Sequence, residues 1–151
     1  MRYLVCLVLL LFPFNITTAG DESAENSYFR YRKELKNASN LDALLSFYSK
    51  DALEKLNKAL KQGVEKDSIL ASLKKNLPDK VKIKKECRAG DVLYFFARGT
   101  LYGLPAEGVI RLKKEGETWK IDKRHWGDPG KVYYRYQKHC NSPLKGYNSF
   151  R

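Results

Sequence analysis

The first half of the chain carries the hydrophobic spacing of amphipathic helices. Between Ser23 and Leu77 apolar residues recur at intervals of three and four, which places them on one side of a helix. The stripe of the first predicted helix is Ala24, Tyr28, Tyr31, Leu35 and Ala38. Three shorter helices are predicted before Pro78, a residue that cannot continue a helix.

Polar residues and a glycine mark the ends of the three shorter helices. Asn40 is the expected N-cap of the second helix, and the break Ser49-Lys50-Asp51 separates the second helix from the third. Gly63 is suited to end the third helix. Asp67 or Ser68 is the expected N-cap of the fourth.

After Pro78 the hydrophobic period changes from that of a helix to that of a strand. Val81, Ile83 and Cys87 alternate with charged residues, which predicts a half-exposed strand. Residues 92–101 are apolar on both faces and fit a central strand. Two more strands are predicted near residues 107–114 and 118–126, joined by a short hairpin loop at Glu115-Gly116-Glu117.

Helices gathered first and antiparallel strands after them predict a single α+β domain. Its four strands would form a meander with one face packed on the helices. Trp126 does not fit this alternation. Trp119 and Ile121 share a face of the last strand, whereas Trp126 would lie on the opposite face unless a bulge intervenes.

The first 19 residues have the features of a secretory signal peptide. Arg2 precedes an almost wholly apolar run over residues 3–14, and Thr17-Thr18-Ala19 supplies small residues for cleavage before Gly20. The apolar run is shorter than the roughly 20 residues of a membrane-spanning helix. We therefore expect a secreted or periplasmic protein with no integral membrane span after cleavage. Asn37-Ala38-Ser39 is a glycosylation sequon that matters only in a eukaryotic host.

Two cysteines, Cys87 and Cys140, remain after removal of the leader. An oxidising export compartment favours a disulfide between them, and two buried free thiols are the alternative. Residues 127–151 would then form a C-terminal arm that the bridge holds on the domain. The mixture of aromatic and basic residues in this arm fits either sheet-covering packing or an aromatic binding surface.

Basic residues outnumber acidic ones by 29 to 17, and many of them gather around the first predicted strand. The residues of this predicted basic face are Lys80, Lys82, Lys84, Lys85 and Arg88. Such a face can attract an anionic partner in a salt-dependent way. The alternative is that lysines protect an exposed sheet edge against pairing with another chain.

Two stretches carry a family resemblance. Residues 40–53 (NLDALLSFYSKDAL) resemble the second-helix signature of nuclear transport factor 2-like domains, and residues 108–122 (GVIRLKKEGETWKID) resemble their closing hairpin. The resemblance spans roughly residues 25–126, within the expected domain of residues 20–126. It implies a cystatin-like α+β cone, in which a curled antiparallel sheet wraps around the helices and leaves an open pocket.

Within such a cone, the resemblance implies a ligand pocket lined by aromatic residues and one arginine. The expected lining residues are Tyr48, Tyr94, Phe96, Arg98 and Trp119. Catalytic members of the family place a carboxylate or a His–Asp pair there. The apolar-faced strands of this chain offer no such acid, and Asp42 and Asp122 are expected at a helix cap and a hairpin surface. We therefore assign no catalytic residue.

The two histidines, His125 and His139, add little evidence for a catalytic or metal site. His125 stands at the end of the last predicted strand, where it would need a cationic partner to act in phosphodiester cleavage. His139 and Cys140 are adjacent, and two adjacent residues cannot supply the ligands of a zinc site. No metal or cofactor is expected.

These observations favour an exported, non-catalytic binding module for a protein partner or a small apolar ligand. Two alternatives stay open: an enzyme of isomerase, dehydratase or hydrolase type that uses the cone, and salt-dependent binding of a polyanion by the basic face. Association with a second copy of the chain also stays open.

Overall fold

A computed structural model describes residues 22–137 and Cys140. The predicted signal peptide, residues 1–19, and most of the C-terminal arm after Gln137 lie outside these residues. The elements in chain order are α1 (Ala24–Asn37), a 3₁₀ helix (Asp42–Phe47), α2 (Lys50–Lys61), α3 (Lys66–Lys75), β1 (Asp79–Ala89), β2 (Val92–Leu101), β3 (Leu104–Glu115), β4 (Thr118–Gly127) and α4 (Lys131–Gln137). The predicted α+β class, with helices first and strands after them, is confirmed.

Serine side chains start two of the helices. Ser23 accepts a hydrogen bond from the Asn26 backbone N–H at the start of α1, and Ser49 accepts one from Ala52 at the start of α2. Each bond satisfies a backbone donor that the helix itself leaves unpaired. Asn40 likewise accepts from the Ala43 N–H, but the helix that follows is of the 3₁₀ type.

The predicted start of the fourth helix is wrong by two or three residues. Glu65 occupies the N-cap position of α3 and makes no side-chain capping bond, while Asp67 and Ser68 lie inside the first turn. A negative charge in the first turn is stabilised by the helix dipole, so Asp67 suits this position without acting as a cap.

The four strands form a curled antiparallel sheet in the order β1-β2-β3-β4. Tyr102 and Gly103 make the turn between β2 and β3 with positive φ angles of 54° and 78°, as a type I′ hairpin turn requires. β3 consequently begins three residues earlier than predicted. Gly116 takes a φ of 60° in the hairpin between β3 and β4.

Irregularities in the pairing rotate parts of the outer strands. β1 holds one extra residue between Asp79 and Lys82 and another, Lys84, between Ile83 and Lys85. β4 holds one extra residue, Asp122, opposite the step from Arg111 to Leu112. Each bulge reverses the face on which the following side chains lie.

The bulge at Asp122 resolves the parity of the last strand. Trp119 and Ile121 precede the bulge, Trp126 follows it, and all three pack into the same hydrophobic cluster. Gly108 on β3 makes room for the Trp126 indole, because a Cβ atom at Gly108 would stand 2.4 Å from that ring.

The sheet is covered on both faces. The first face packs against α1, the 3₁₀ helix and α3, with Tyr28, Tyr31 and Phe95 at the centre of its core. The second face packs against α4. Its smaller core consists of Tyr94, Phe96, Val109, Val132, Tyr133 and Tyr136, with Cys87 and Cys140 at its margin.

A disulfide joins Cys87 of β1 to Cys140 beyond α4, with the two Cα atoms 5.8 Å apart. Because α4 begins after the end of β4, the chain crosses the second face from one edge strand to the other before it reaches Cys140. The bridge therefore closes the covering over the second face.

Candidate functional site

The structure does not bring the five expected pocket residues together. Tyr94 and Phe96 belong to the core of the second face, and Arg98 shares that face because it lies opposite Lys82 and Glu107. Tyr48 and Trp119 pack on the first face. The two groups are therefore separated by the sheet.

Aromatic rings fill the space around these residues. The Phe96 ring packs edge-on against Tyr133 of α4, with centroids 5.4 Å apart. The Tyr48 hydroxyl lies 2.9 Å from the hydroxyl of Tyr31 in a partly buried hydrogen bond. Side chains of the core itself thus occupy the surroundings of Tyr48 and Phe96.

The predicted basic face is divided by the bulge at Lys84. Before the bulge Lys82 lies opposite Arg98, and after it Lys85 lies opposite Phe96, so both lysines belong to the second face. Arg88 lies opposite Leu93 on the first face, where its guanidinium carbon stands 5.1 Å from the centre of the Trp119 ring. The prediction of a single face is wrong for Arg88, because the parity argument assumed a regular strand.

Three of the four predicted lysines, all except Lys85, line a groove on the surface of β1 and β2, which we call the basic groove. Its volume is about 290 Å³, and it is lined by Lys80, Lys82, Lys84, Arg98, Gly99 and Thr100. The three lysines are exposed. All four charged side chains that line the basic groove are cationic, and Thr100 adds a hydroxyl that can donate a hydrogen bond.

The backbone of the basic groove is set by the first bulge of β1. Lys80 adopts a φ of 50°, which is uncommon for a residue other than glycine. Gly99 of β2 permits the close approach of the bulge, because a Cβ atom there would lie 2.8 Å from the Asp79 carbonyl oxygen. A side chain at position 99 would push the two strands apart.

A buried carboxylate stands behind Arg98. Glu107 is 1% exposed, and its Oε1 lies 3.7 Å from Arg98 Nε. Its other oxygen accepts a hydrogen bond from the Gly130 backbone N–H at 2.6 Å, just before α4. Glu107 therefore both balances the charge of Arg98 and holds the start of the arm against the sheet.

The sequence analysis missed Glu107 and misplaced Asp122. The expectation that the strands offer no interior acid is wrong for Glu107, which shares its face with Val109 and could have been found from β3 alternation. Asp122 was expected at a hairpin surface, but it is 8% exposed. The bulge turns its carboxylate inward, where it pairs with Arg111 and accepts from the Ser49 hydroxyl at 2.7 Å.

These two acids have structural partners that account for their burial. Asp122 links the N-terminus of α2, through Ser49, to the bulge of β4 and to Arg111 of β3. Glu107 links β2 to the start of α4. Asp42, the other acid considered from the sequence, is exposed and pairs with Lys66 at 2.7 Å. All three acids therefore form ion pairs that connect different elements of the fold.

His125 lies on the second face beside α4. Its ring centroid is 6.1 Å from that of Tyr136. Burial lowers the pKa of His125, and the positive charges of Arg135 and Lys123 lower it further. Its neighbour in the sequence argument, His139, lies outside the described residues. Within residues 22–137 and Cys140, the His, Cys, Asp and Glu side chains form no group of three placed to hold a metal ion.

Among the helices of the described part of the chain, none combines the length and the apolar character that a membrane span requires. In comparisons with protein-family models, with curated proteins and with solved structures, nothing matches this chain. The basic groove is therefore interpreted from its own chemistry.

Proposed function

We propose that the protein is an exported, non-catalytic binding module whose partner is a polyanion held in the basic groove. The observation that carries this proposal is the groove lining, in which three lysines and one arginine from two adjacent strands converge without a carboxylate among them. Export rests on the leader-like residues 1–19. The order of helices and strands also fits our proposed relationship to nuclear transport factor 2-like domains.

Electrostatic attraction is the form of recognition that these residues favour. Lysine carries a flexible point charge, whereas base-specific or bidentate recognition uses the planar fork of arginine. The one arginine of the groove is engaged with Glu107 at 3.7 Å. We therefore expect affinity for closely spaced negative charges with little dependence on the exact partner sequence.

A sheet edge protected by lysines is the alternative explanation. β1 is an edge strand of the sheet, and lysines on such strands prevent pairing with other chains. Edge protection requires only charge along β1. The basic groove also includes Arg98 and Thr100 of β2, which edge protection does not need.

The experiment measures the binding of a labelled oligothymidylate, used as a model polyanion, across a series of salt concentrations. The test variant is Lys80→Gln/Lys82→Gln/Lys84→Gln. The control variant, Lys55→Gln/Lys58→Gln/Lys61→Gln, removes the same charge from exposed positions of α2. Because each neutralised phosphate contributes about 0.7 to the slope of log affinity against log salt, the test variant should lose about 2 from that slope.

The two variants separate site binding from net charge. If the groove variant binds as tightly as the control variant at every salt concentration, the basic groove is not the binding site. If wild-type affinity does not change with salt, charge attraction is excluded altogether. Circular dichroism of each variant shows that the fold is retained.

A further inference from the structure

The turn between β2 and β3 carries the most exposed large apolar side chains of the described residues. Tyr102 is 64% exposed and Leu104 is 69% exposed, whereas the other exposed large apolar side chains of residues 22–137 do not exceed 42%. Pro105, next to Leu104, is also exposed. We call residues 102–105 the apolar tip. Single exposed apolar residues are normal on a protein surface, but neighbouring ones point to a contact surface.

Tyr102 adopts a backbone conformation that does not suit its side chain. Its φ of 54° lies in the left-handed region, where a bulky side chain is uncommon. Asparagine, aspartate or glycine is the usual choice at this position of a type I′ turn. An asparagine would make the same turn with less strain and without an exposed ring. Because strained residues cluster at functional sites, the ring is inferred to have a role other than forming the turn.

Positive charge lies beside the apolar tip at the end of α3. The Tyr102 hydroxyl donates a hydrogen bond to Asn76 Oδ1 at 3.1 Å. Lys74 and Lys75, in the last turn of α3, directly precede Asn76 and are exposed. Within residues 22–137 neither lysine forms an ion pair. Their charges are therefore available to a partner that contacts the apolar tip.

The basic groove approaches the apolar tip from the other side. Thr100 lines the groove and stands two residues before Tyr102. Asp79 lies opposite Thr100, and Lys80 of the groove follows Asp79. The whole segment of residues 74–84 contains five lysines and one acid, Asp79. The exposed apolar side chains thus stand within a strongly cationic surround.

An anionic lipid membrane is the partner that matches both features. The membrane interface accepts aromatic and aliphatic side chains, and its headgroup phosphates attract lysines. Tyrosine suits this boundary because its ring is apolar and its hydroxyl is polar. A nucleic acid would use the lysines and leave Leu104 and Pro105 without a role. A protein partner would need a cleft shaped to receive the protruding turn, whereas a membrane needs none.

We propose that the apolar tip inserts into the interface of an anionic lipid membrane while the lysines beside it contact headgroup phosphates. The inference rests on the proposed function, because the basic groove supplies part of the charge, and it identifies the polyanion as a membrane surface. Tyr102 and Leu104 supply the apolar part of the contact. Insertion of a few side chains together with charge attraction gives a reversible attachment that weakens as salt rises.

The test measures binding of residues 20–151 to lipid vesicles, so that the apolar run of residues 3–14 does not itself enter the lipid. Sucrose-loaded vesicles of equal parts phosphatidylcholine and phosphatidylglycerol are compared with vesicles of phosphatidylcholine alone. The fraction of protein that sediments with the vesicles gives the partition coefficient. We expect binding to the mixed vesicles only, with a partition coefficient that falls as salt is added.

Two substitutions test the insertion of the apolar tip. Tyr102→Asn and Leu104→Ser together should lower the partition coefficient on mixed vesicles about tenfold or more, since burial of one large apolar side chain is worth roughly a tenfold change. Because asparagine suits the type I′ turn, Tyr102→Asn should not lower the urea midpoint of unfolding. Both variants should bind oligothymidylate as the wild type does.

Matched controls separate the apolar tip from apolar surface in general. Val64→Ser is the control for Leu104→Ser: Val64 is 42% exposed and precedes α3, whose ten residues span about 15 Å. Val64→Ser should bind mixed vesicles as the wild type does. The triple lysine variant of the basic groove should bind them about tenfold or more weakly, and the triple lysine variant of α2 within about twofold of the wild type.

Tyr102→Trp reports whether the apolar tip enters the lipid. An exposed tryptophan emits at a shorter wavelength when it moves into apolar surroundings, and the wild-type spectrum supplies the background from Trp119 and Trp126. We expect the added emission to move to shorter wavelength on mixed vesicles and to stay in place on phosphatidylcholine vesicles. Attachment by lysines alone would leave it in place on both.

Three results would overturn the proposal: no binding to mixed vesicles, apolar-tip variants that bind as tightly as the wild type, or an unshifted emission of Tyr102→Trp. If the wild type binds oligothymidylate but not mixed vesicles, this inference fails and the proposed function stands. If the groove variant keeps full affinity for both, while the apolar-tip variants lose the vesicles, the proposed function fails and the insertion is upheld. If the wild type binds neither, both fail.

Discussion

The two faces of the sheet are covered in different ways. On the first face α1, the 3₁₀ helix and α3 enclose a large core that includes Tyr28, Tyr31 and Phe95, each no more than 1% exposed. On the second face one helix of seven residues, α4, covers a core of six buried side chains. A helix this short is marginal without tertiary support.

This difference identifies what holds each covering in place. The first-face helices precede the sheet in sequence and are fixed by burial of many side chains at once. The second-face helix is fixed by a few aromatic contacts, by the Glu107 bond to the Gly130 backbone, and by the disulfide from Cys87 to Cys140. We therefore expect the second face to open at a lower free energy than the first.

Two adjacent phenylalanines of β2 test this comparison most strongly. Phe95 points into the first face and Phe96 into the second, and both are 1% exposed. Phe95→Ala should lower the free energy of unfolding by about 3–5 kcal/mol, because a cavity in the larger core cannot collapse easily. Phe96→Ala should cost less, because α4 can detach while the rest of the fold persists.

Urea unfolding of the two alanine variants, followed by circular dichroism, measures both costs on the same strand. A Phe96→Ala cost equal to or larger than that of Phe95→Ala would show that the second face is as integral to the fold as the first. Phe95→Leu and Phe96→Leu are matched milder variants for the case in which Phe95→Ala does not fold.

Removal of the disulfide should have the next largest effect. Cys87 and Cys140 are 53 residues apart in sequence, and a loop of that length corresponds to about 4 kcal/mol in the chain-entropy account, with about 2–4 kcal/mol typical in practice. In Cys87→Ser/Cys140→Ser we expect faster amide hydrogen exchange in α4 and little change in α1.

The reduced wild-type protein is the control for this variant, because it loses the bridge without a change of sequence. The two should share one unfolding midpoint and one exchange pattern. Unchanged protection of α4 in both would show that the aromatic contacts of Tyr133 and Tyr136 are sufficient to hold the second face.

The change of hydrophobic period at Pro78 was enough to predict the α+β class and the strand order. Local bulges were not predictable in the same way, because each adds a single residue that hydrophobic alternation does not mark. The bulge at Lys84 places Arg88 on the first face. The bulge at Asp122 buries a carboxylate that the sequence alone suggested to be superficial.

The basic groove and the surroundings of Tyr28 differ in how far the sequence alone could predict them. The lysines of the basic groove were visible as a charged run, although the contributions of Arg98 and Thr100 depend on the pairing of β1 with β2. The surroundings of Tyr28 were not predictable, because Tyr28 has the position of an ordinary core residue of an amphipathic helix. The proximity of Tyr28 to Arg32, Arg124 and Trp126 appears only when α1 and the end of β4 are placed together.

Acidification should have the smallest effect on stability. This effect should be confined to the second face. Burial and the charges of Arg135 and Lys123 lower the folded-state pKa of His125 below its ordinary value of 6.5. The unfolded chain then binds a proton more readily than the folded one. The free energy of unfolding therefore has its full value above pH 6.5 and falls as the pH drops through and below that value. Protonation places a charge beside the Tyr136 ring of α4.

Urea midpoints and α4 hydrogen exchange, measured on both sides of pH 6.5, test this expectation in the wild type and in His125→Gln. The wild type should become less stable on acidification, with faster exchange in α4 than in α1, and His125→Gln should lose most of this dependence. If His125→Gln loses as much stability on acidification as the wild type does, the pH dependence belongs to other titrating groups. A fall with equal exchange changes in α1 and α4 would mean that the second face opens only together with the first.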